Sequence, residues 1–265
     1  MPELPEVEAT RRLLARWTGQ RVVGIDVVEP TTVRRPGATS PGAFDAVGLE
    51  RLRRAEGGVW AAPVRHGKRI AARIGGTGLW IHLGMTGRFV PGGAGRFTRL
   101  RLSFSGGDTV GFEDARRFGH VAVTEAAVDR DLGPDALATD DVTLSGLWRG
   151  RRPIHAALLD QRASAGVGNL HAAEALHRAG LAPARIADSL SAVERLDLAR
   201  AVHAQLQGAI DAIDPAGILW VADGEGDLDL LVYDREGEPC RRCGAALERV
   251  VLGGRSACFC PHCQR

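Results

Sequence analysis

The first residues of the chain combine a candidate nucleophile with a candidate acid. Pro2 and Glu3 directly follow Met1. Because proline is small and lies next to the initiator methionine, we expect Met1 to be removed and Pro2 to become a free secondary amine. Such an amine can attack a sugar aldehyde carbon and form an iminium ion, while Glu3 exchanges protons beside it. The structural alternative is that Pro2 and Pro5 only start a helix, where proline is tolerated in the first turn.

A single lysine stands out among the basic residues. Lysine and arginine together number 34, and Lys68 is the only lysine. Arginine is effectively always protonated, whereas a lysine can release its proton and act as an acid–base group. Lys68 is therefore a candidate catalytic residue, and chance retention on an exposed loop is the alternative.

Cysteine spacing predicts a metal site. All five cysteines lie at or after position 240, and four of them form two Cys-x2-Cys pairs separated by 16 residues: Cys240, Cys243, Cys260 and Cys263. This spacing is typical of one Zn²⁺ ion bound tetrahedrally by four thiolates. Such a zinc would be structural, because four protein ligands leave no position open for water. Disulfide bonds are the alternative, as is replacement of one cysteine ligand by His262, and we expect Cys258 to pack in a core.

The composition predicts an ordinary globular protein. The chain has 265 residues, of which 45% are hydrophobic and 25% charged, and a net charge of +2, which suits two modest domains. No apolar run is long enough to span a bilayer, and the acidic N-terminal sequence is unlike a signal peptide, so we expect a cytoplasmic protein. Arginines are concentrated in residues 51–73 and 240–265, which are either phosphate-binding surfaces or solvated faces.

Local patterns predict the elements that carry these groups. Residues 5–18 have the periodicity of an amphipathic helix that Gly19 ends. Glycine-containing turns at 75–78 and 106–108 separate short apolar or alternating runs, which predicts a β-sandwich or barrel-like domain. The predicted strands are residues 22–28, 70–74, 79–83, 100–104 and 109–112.

The second half of the sequence has a different character. Residues 131–135 are predicted to form a linker, and residues 136–214 are rich in Ala, Leu and Arg with helical periodicity, up to a stop at 215–217. The turn Gly166–Asn169 precedes a predicted helix over 170–179, and its backbone amides would suit an anion. Packing of the helix in the interior is the alternative explanation for the glycines of this turn. From about residue 227 we expect a strand, a zinc knuckle, a hairpin and a second knuckle.

Five motifs in order resemble one known family. They are Met1–Glu8, His82–Gly87, Asp114–Gly119, Gly166–Asn169 and the four-cysteine finger. Over nearly its whole length the chain is similar to the formamidopyrimidine-DNA glycosylase and endonuclease VIII family, in its bacterial formamidopyrimidine-DNA glycosylase branch. The resemblance implies an α+β fold with an N-terminal helix plus β-sandwich catalytic domain (1–130), a helix-two-turn-helix DNA-binding domain (131–226) and a four-cysteine zinc-finger β-hairpin (227–265).

The activity that the resemblance implies is that of a bifunctional DNA glycosylase and abasic-site lyase of base excision repair. Its substrates would be oxidised bases, foremost oxidised or ring-opened purines, flipped out of the DNA stack. Pro2 would attack the sugar C1′ and form a Schiff base, and Glu3 would supply or relay the proton that opens the sugar ring. Lys68 matches the lysine assigned to β-elimination. Arg255 matches the finger arginine that holds phosphate and assists δ-elimination.

The resemblance also implies how double-stranded DNA with a damaged base or abasic site would be bound. Met85, Arg116 and Phe118 match the residues that fill the gap left by the flipped base, with packing in a core as the alternative for Met85 and Phe118. An apolar wedge can replace lost stacking there, and an arginine can hydrogen-bond the orphaned base. Asn169 would contact the same DNA backbone region as Arg255. We expect a monomer with one structural Zn²⁺ and no membrane contact, which works in the cytoplasm at the nucleoid.

Four departures from the family pattern leave the substrate open. Phe97 stands where a DNA-contacting histidine is usual, His155 replaces a lysine, and His171 replaces a tyrosine. The stretch between Gly217 and Tyr233, which carries the loop over the everted purine, is several residues shorter than usual. Oxidised pyrimidines or abasic sites are therefore alternative substrates. A catalytically silent DNA-damage-binding protein on the same scaffold and a protein-binding zinc ribbon are the remaining alternatives.

Overall fold

The computed structural model describes residues 2–38, 40, 42–125, 131–213 and 230–265. The described residues form two compact units, one made of residues 2 and 6–125, the other of residues 3–5, 131–213 and 230–265. Several sequence predictions fall outside the described residues. They are the removal of Met1, the stop at 215–217, most of the shortened stretch before Tyr233, and the domain boundaries after residues 130 and 226.

Helix α1, Leu4–Ala15, is shorter than the sequence predicts. Leu14 is fully buried on the face that the periodicity indicates. Residues 16–19 form turns rather than a last helical turn. The Trp17 indole donates a hydrogen bond to the Asp108 carboxylate at 3.0 Å. The prediction that the helix continues to residue 18 is therefore wrong. Trp17 lies in the turns after the helix, where it is hydrogen-bonded to a distant hairpin.

The first unit contains two antiparallel sheets of four strands each. The strands are β1 Val22–Asp26, β2 Val64–His66, β3 Arg69–Ile74, β4 Thr77–His82, β5 Arg88–Pro91, β6 Thr98–Phe104, β7 Thr109–Glu113 and β8 His120–Val123. One sheet has the strand order β1-β6-β7-β5 and the other β2-β3-β4-β8. Two such sheets following a helix confirm the predicted α+β architecture.

Strand β6 shows how the sequence pattern becomes a core. Its side chains alternate, so that four of them are buried: Thr98, Leu100, Leu102 and Phe104. Phe104 stacks on Trp17 at a ring-centroid distance of 5.1 Å and meets the edge of Trp60 at 6.1 Å. The backbone of Trp60 forms an isolated β-bridge with that of Ile74 at the end of β3. One apolar core therefore connects the two sheets.

Several described elements of the first unit are not predicted by the sequence patterns. They include strands β2, β5 and β8, a 3-10 helix over Pro30–Thr32, and helix α2, Ala46–Arg54. The three strands have three or four residues each, which is too short for an alternating pattern to be recognised. Helix α2 begins after Asp45, whose carboxylate caps the amide of Gly48 at 3.0 Å.

Helices form the core of the second unit. They are α3 Asp141–Ser145, α4 Ile154–Leu158, α5 Asn169–Arg178 and α6 Ala192–Ala212. Their apolar residues form one buried cluster that includes Leu4. The predicted linker at 131–135 is ordered, because the Asp135 carboxylate accepts hydrogen bonds from two amides that follow it. None of the helices in the described ranges is both long and apolar enough to cross a bilayer.

The segment 230–265 carries a hairpin between two tight cysteine turns. Strand β9, Glu248–Leu252, pairs with β10, Arg255–Phe259. Gly253 and Gly254 join them with φ angles of +58° and +78°, as a type I′ turn requires. Residues 230–238 contain no strand, so the strand predicted from about residue 227 is absent from the part of it that is described.

Candidate active site and metal centre

Glu3 is buried at the start of helix α5. Its Oε1 accepts a hydrogen bond from the Leu170 amide at 3.1 Å and its Oε2 one from the His171 amide at 3.4 Å. The residue is only 5% exposed. The first amides of a helix have no intrahelical partners and carry partial positive charge, so a carboxylate is stabilised there. The anion position predicted at this turn is thus filled by the carboxylate of Glu3. We call this pair of hydrogen bonds the Glu3–α5 contact.

Two glycines make room for the Glu3–α5 contact. A side chain at Gly168 would overlap the Glu3 carboxyl group, and one at Gly166 would overlap Leu4. Gly166 also has a φ angle of +121°, which residues with side chains rarely adopt. The Gly-x-Gly-Asn turn therefore allows residues 3 and 4 to pack against α5.

Asn169 links the start of α5 to the hairpin that carries Arg255. Its Nδ2 donates a hydrogen bond to the carbonyl oxygen of Ser256 at 2.9 Å, and the neighbouring Arg255 is exposed. Among the described residues, the buried Oδ1 of Asn169 has no hydrogen-bond partner. The second unit thus brings three predicted site residues, Glu3, Asn169 and Arg255, to the start of one helix and the hairpin attached to it.

Two titratable side chains lie beside Asn169. His155 of α4 is fully buried. Burial lowers its pKa to about 4, although the Asn169 side chain acts to raise it. Burial, followed by the charge of Glu3, raises the pKa of Tyr233, while Asn169 again opposes the shift. At neutral pH His155 is therefore uncharged, unlike the lysine that the family resemblance implies at this position.

Glu174 of α5 holds the chain at Tyr233, a role that no sequence pattern predicts. Its buried carboxylate accepts hydrogen bonds from the successive amides of Leu231, Val232 and Tyr233 at 2.9 to 3.0 Å. Three successive amides form an anion-binding nest. No local pattern could reveal this role, because the amides lie more than fifty residues further along the chain.

Lys68 lies half-buried in the turn between β2 and β3. Near it His82 pairs with Arg69 and His120 across the sheet, and the two imidazoles stack with centroids 5.2 Å apart. Burial, followed by the charges of His120, Arg69 and Lys68, lowers the pKa of His82 to about 3. Burial and Arg34 lower the pKa of His120 to about 4. Both imidazoles are uncharged at neutral pH, so neither places a positive charge beside Lys68.

Met85 and Phe118 are exposed apolar side chains on two loops of the first unit. Their exposed fractions are 36% and 38%, and the Arg116 guanidinium lies 5.1 Å from the Phe118 ring centroid. The buried Asp114 carboxylate joins the loops, because it accepts hydrogen bonds from the Thr86 hydroxyl and from two amides of its own loop at 3.2 and 2.6 Å. Three of the four predicted DNA-binding residues are therefore carried by two connected loops, and the fourth, Asn169, begins helix α5.

Arg34 is a second residue that the sequence analysis missed. It is 1% exposed and donates hydrogen bonds to the carbonyl oxygens of Arg117 at 2.6 Å and Phe118 at 3.4 Å. Burial lowers its pKa, and Asp114 opposes this shift. Arg34 thereby fixes the backbone that presents Phe118. Nothing in the local sequence distinguishes it from the exposed arginine that follows.

The four predicted cysteine ligands converge on one point. Their Sγ atoms lie within 4.8 Å of one another: Cys240, Cys243, Cys260 and Cys263. The amides of Arg242 and Cys263 donate to the sulfurs of Cys240 and Cys260, each at 3.4 Å. Burial and the neighbouring thiols raise the pKa of Cys263 to about 12, so four thiolates need a cation to coexist at neutral pH. Four clustered thiolates fit Zn²⁺.

Neighbouring groups define this metal centre further. His262 is exposed and lies outside the cluster, and Cys258 is buried in an apolar cluster with Val232 and Leu247, as predicted. His177 of α5 has its Nε2 3.6 Å from the Cys240 sulfur. An N–H donated to a ligand thiolate orients and stabilises it. Because four protein ligands leave no position for water, a zinc ion here is structural.

Comparison with known families accounts for most of the chain. Residues 1–121 match the family model described as "Formamidopyrimidine-DNA glycosylase N-terminal domain". Residues 132–217 match "Formamidopyrimidine-DNA glycosylase H2TH domain", and residues 237–265 match "Zinc finger found in FPG and IleRS". The three matches follow one another along the chain.

Individual relatives are similar from end to end. The formamidopyrimidine-DNA glycosylase of Cereibacter sphaeroides is 38% identical over 294 residues, covering 100% of both chains. The MutM (Fpg) crystal structure from Thermus thermophilus is 36% identical, with a TM-score of 0.80 over 99% of this chain and 98% of that chain. The Lactococcus lactis Fpg, solved with DNA containing an abasic site, is 27% identical with a TM-score of 0.84 over 100% of both.

The fold, the cysteine finger and these likenesses together define a DNA repair glycosylase that carries a zinc finger. The chain belongs to the formamidopyrimidine-DNA glycosylase family. The family resemblance and the zinc ion predicted from the sequence are both confirmed.

Proposed function

We propose that this DNA glycosylase is bifunctional: it excises oxidised or ring-opened purines and then cleaves the strand at the abasic site it has made. The Glu3–α5 contact is the observation that carries the proposal. A buried carboxylate is joined by one peptide bond to Pro2, whose nitrogen becomes a secondary amine once Met1 is removed. A nucleophile and a proton source are thereby neighbours in one chain segment.

The proposed reaction begins when the Pro2 nitrogen attacks C1′ of the damaged nucleotide and the bond from C1′ to the base breaks. The base leaves with the bonding electron pair and takes up the proton that the Pro2 nitrogen releases. Glu3 gives a proton to the sugar ring oxygen, the ring opens, and nitrogen and C1′ form an iminium ion. This positive charge acidifies C2′, and Lys68 removes a proton there. The electron pair expels the 3′ phosphate. Loss of a second proton, from C4′, expels the 5′ phosphate, which Arg255 holds. Water then hydrolyses the bond between C1′ and the nitrogen and releases Pro2.

Duplex DNA with a damaged base or an abasic site is the proposed partner. Met85 and Phe118 are exposed on connected loops, so they can fill the space of an extruded nucleotide while Arg116 hydrogen-bonds the unpaired base. Asn169 would contact the DNA backbone near Arg255. The similar Lactococcus lactis protein was solved with abasic-site DNA, and a mutant of it with DNA containing Fapy-dG, which supports both classes of substrate.

The proposed substrate also bears on the cellular location and the oligomeric state of the protein. Bacterial relatives and a DNA substrate favour the cytoplasm, at the nucleoid, as the place of action. A monomer suffices, because one chain supplies every residue named in the reaction.

Borohydride trapping tests the proposed chemistry. Protein whose intact mass shows the loss of Met1 is incubated with duplexes that carry 8-oxoguanine, formamidopyrimidine, an oxidised pyrimidine or an abasic site, and is then reduced. We expect a stable adduct that peptide mass spectrometry assigns to Pro2. The variant Glu3→Gln should lose base excision. If no duplex gives an adduct although the N-terminus is free, the protein is a silent damage binder instead.

A second candidate function is a glycosylase and lyase that acts mainly on oxidised pyrimidines or abasic sites. The uncharged His155 favours it, because a neutral imidazole cannot supply the positive charge of the lysine that the resemblance implies. The same four duplexes decide between the candidates. The lesion released fastest under single-turnover conditions identifies the substrate.

A further inference from the structure

His171 lies next to Glu3, and the reaction described above does not use its side chain. The residue is 1% exposed, and its Nε2 lies 3.9 Å from Oε2 of Glu3. Within the described part of the chain, this nitrogen has no hydrogen-bond partner. Buried polar atoms are nearly always paired, so an unpaired nitrogen directed at a carboxylate requires an explanation.

The neighbours of His171 determine which ring nitrogen carries the proton. Arg178 donates from Nε to Oε1 of Gln205 at 2.8 Å, and an arginine can only donate. The amide nitrogen of Gln205 therefore faces His171, 3.3 Å from Nδ1. Because Nδ1 accepts that hydrogen bond, the proton of the neutral ring is on Nε2. The ring is thus oriented with its N–H towards Glu3.

We propose that His171 is a positioning residue for Glu3, whose Nε2–H acts as a donor to the ionised carboxylate beside two backbone amides. These amides belong to Leu170 and His171. A movement of about 1 Å by the carboxylate would bring Nε2–H into hydrogen-bonding distance. The inference rests on the proposed role of Glu3 as proton donor: when Glu3 releases its proton, His171 stabilises the charge that remains.

Charged and titratable groups on the neighbouring elements also face this site. Arg178 of α5 and Gln205 of α6 are linked to the His171 ring by hydrogen bonds. Tyr233 senses the charge of Glu3, and His155 lies beside Asn169. The hydrogen bond of Gln205 is to His171, so substitution of Gln205 tests His171 separately from Tyr233 and His155.

Three variants of the full-length zinc protein test the proposal. His171→Leu removes the side-chain donor, and we expect the single-turnover rate of base release to fall about tenfold. The limb of its pH–rate profile that reports Glu3 should move to higher pH, because the ionised carboxylate has lost a donor. His171→Gln keeps an N–H near the position of Nε2 and should restore rate and profile to within about twofold. Gln205→Leu should shift the profile in the same direction by less.

Controls separate this inference from the proposed function. DNA affinity and zinc content should be unchanged in all three variants, and the thermal midpoint shows whether the fold persists. If the wild-type protein neither releases base nor traps on abasic DNA, the proposed function fails. If it is active and His171→Leu keeps the wild-type pH profile, or if His171→Gln loses as much rate as His171→Leu, only the role of His171 is refuted.

Discussion

Gly168 is the residue at which the Glu3–α5 contact is easiest to disturb. We expect Gly168→Ala to displace the Glu3 carboxyl group, because the added Cβ would occupy its place. Single-turnover base release from a lesion duplex should fall by about tenfold or more, since catalysis depends on the position of the proton donor. The fold and the zinc content should persist.

A matched glycine serves as control for this prediction. Gly208 lies in α6, and an added Cβ would meet no atom within 4 Å. Gly208→Ala should therefore keep the wild-type rate and gain about 1 kcal/mol of helix stability. A Gly168→Ala variant as fast as Gly208→Ala would show that the position of Glu3 does not matter for base release.

At the scale of elements, the zinc centre supports the β9–β10 hairpin that carries Arg255. The hairpin has two short strands, and an isolated two-stranded hairpin is marginally stable in water. We expect Cys243→Ser to lose zinc and to weaken duplex binding by about tenfold or more, because metal binding and folding of such a finger are coupled. Metal analysis and a DNA titration of the same sample measure both effects.

Cys258→Ala is the matched control for the cysteine variant. Cys258 is buried in the neighbouring apolar cluster and is not one of the four clustered sulfurs. It should retain one zinc ion and wild-type affinity. Tight DNA binding by metal-free Cys243→Ser would contradict the structural role of zinc.

Elements with a strong local signal could be predicted, and those defined by distant partners could not. The cysteine spacing, the alternation of β6 and the Gly166–Asn169 turn are local patterns, and the structure contains the corresponding elements. Arg34 and Glu174 differ, because their importance lies in backbone groups that are far away in sequence. Short strands such as β2 are likewise defined by their neighbours in the sheet rather than by their own residues.

At the scale of the whole molecule, buried neutral histidines should reduce stability in mild acid. His155 has a pKa of about 4 in the folded protein against an ordinary value of 6.5. The unfolded chain therefore binds more protons between these values, so stability is full above about pH 6.5 and falls as the pH drops towards 4. His155 alone should cost about 2 kcal/mol at pH 5. His82 and His120 act in the same direction.

Urea denaturation at pH 7 and pH 5 measures this loss. The variant His155→Gln has no titrating group at this position. Between pH 7 and pH 5 its free energy of unfolding should therefore decrease by about 2 kcal/mol less than that of the wild-type protein. Equal losses in the variant and the wild-type protein would show that His155 is not buried in its neutral form.

The membership of residues 3–5 in the second unit has a consequence for how the protein is made. The ribosome produces Glu3 long before the amides that hold its carboxylate, which belong to residues 170 and 171. Synthesis at roughly 5–20 residues per second separates the two by many seconds. During that interval, and in any chain whose translation stops early, the Glu3 carboxylate has no helix start to hold it. Under the proposed function, base excision therefore becomes possible only late in synthesis.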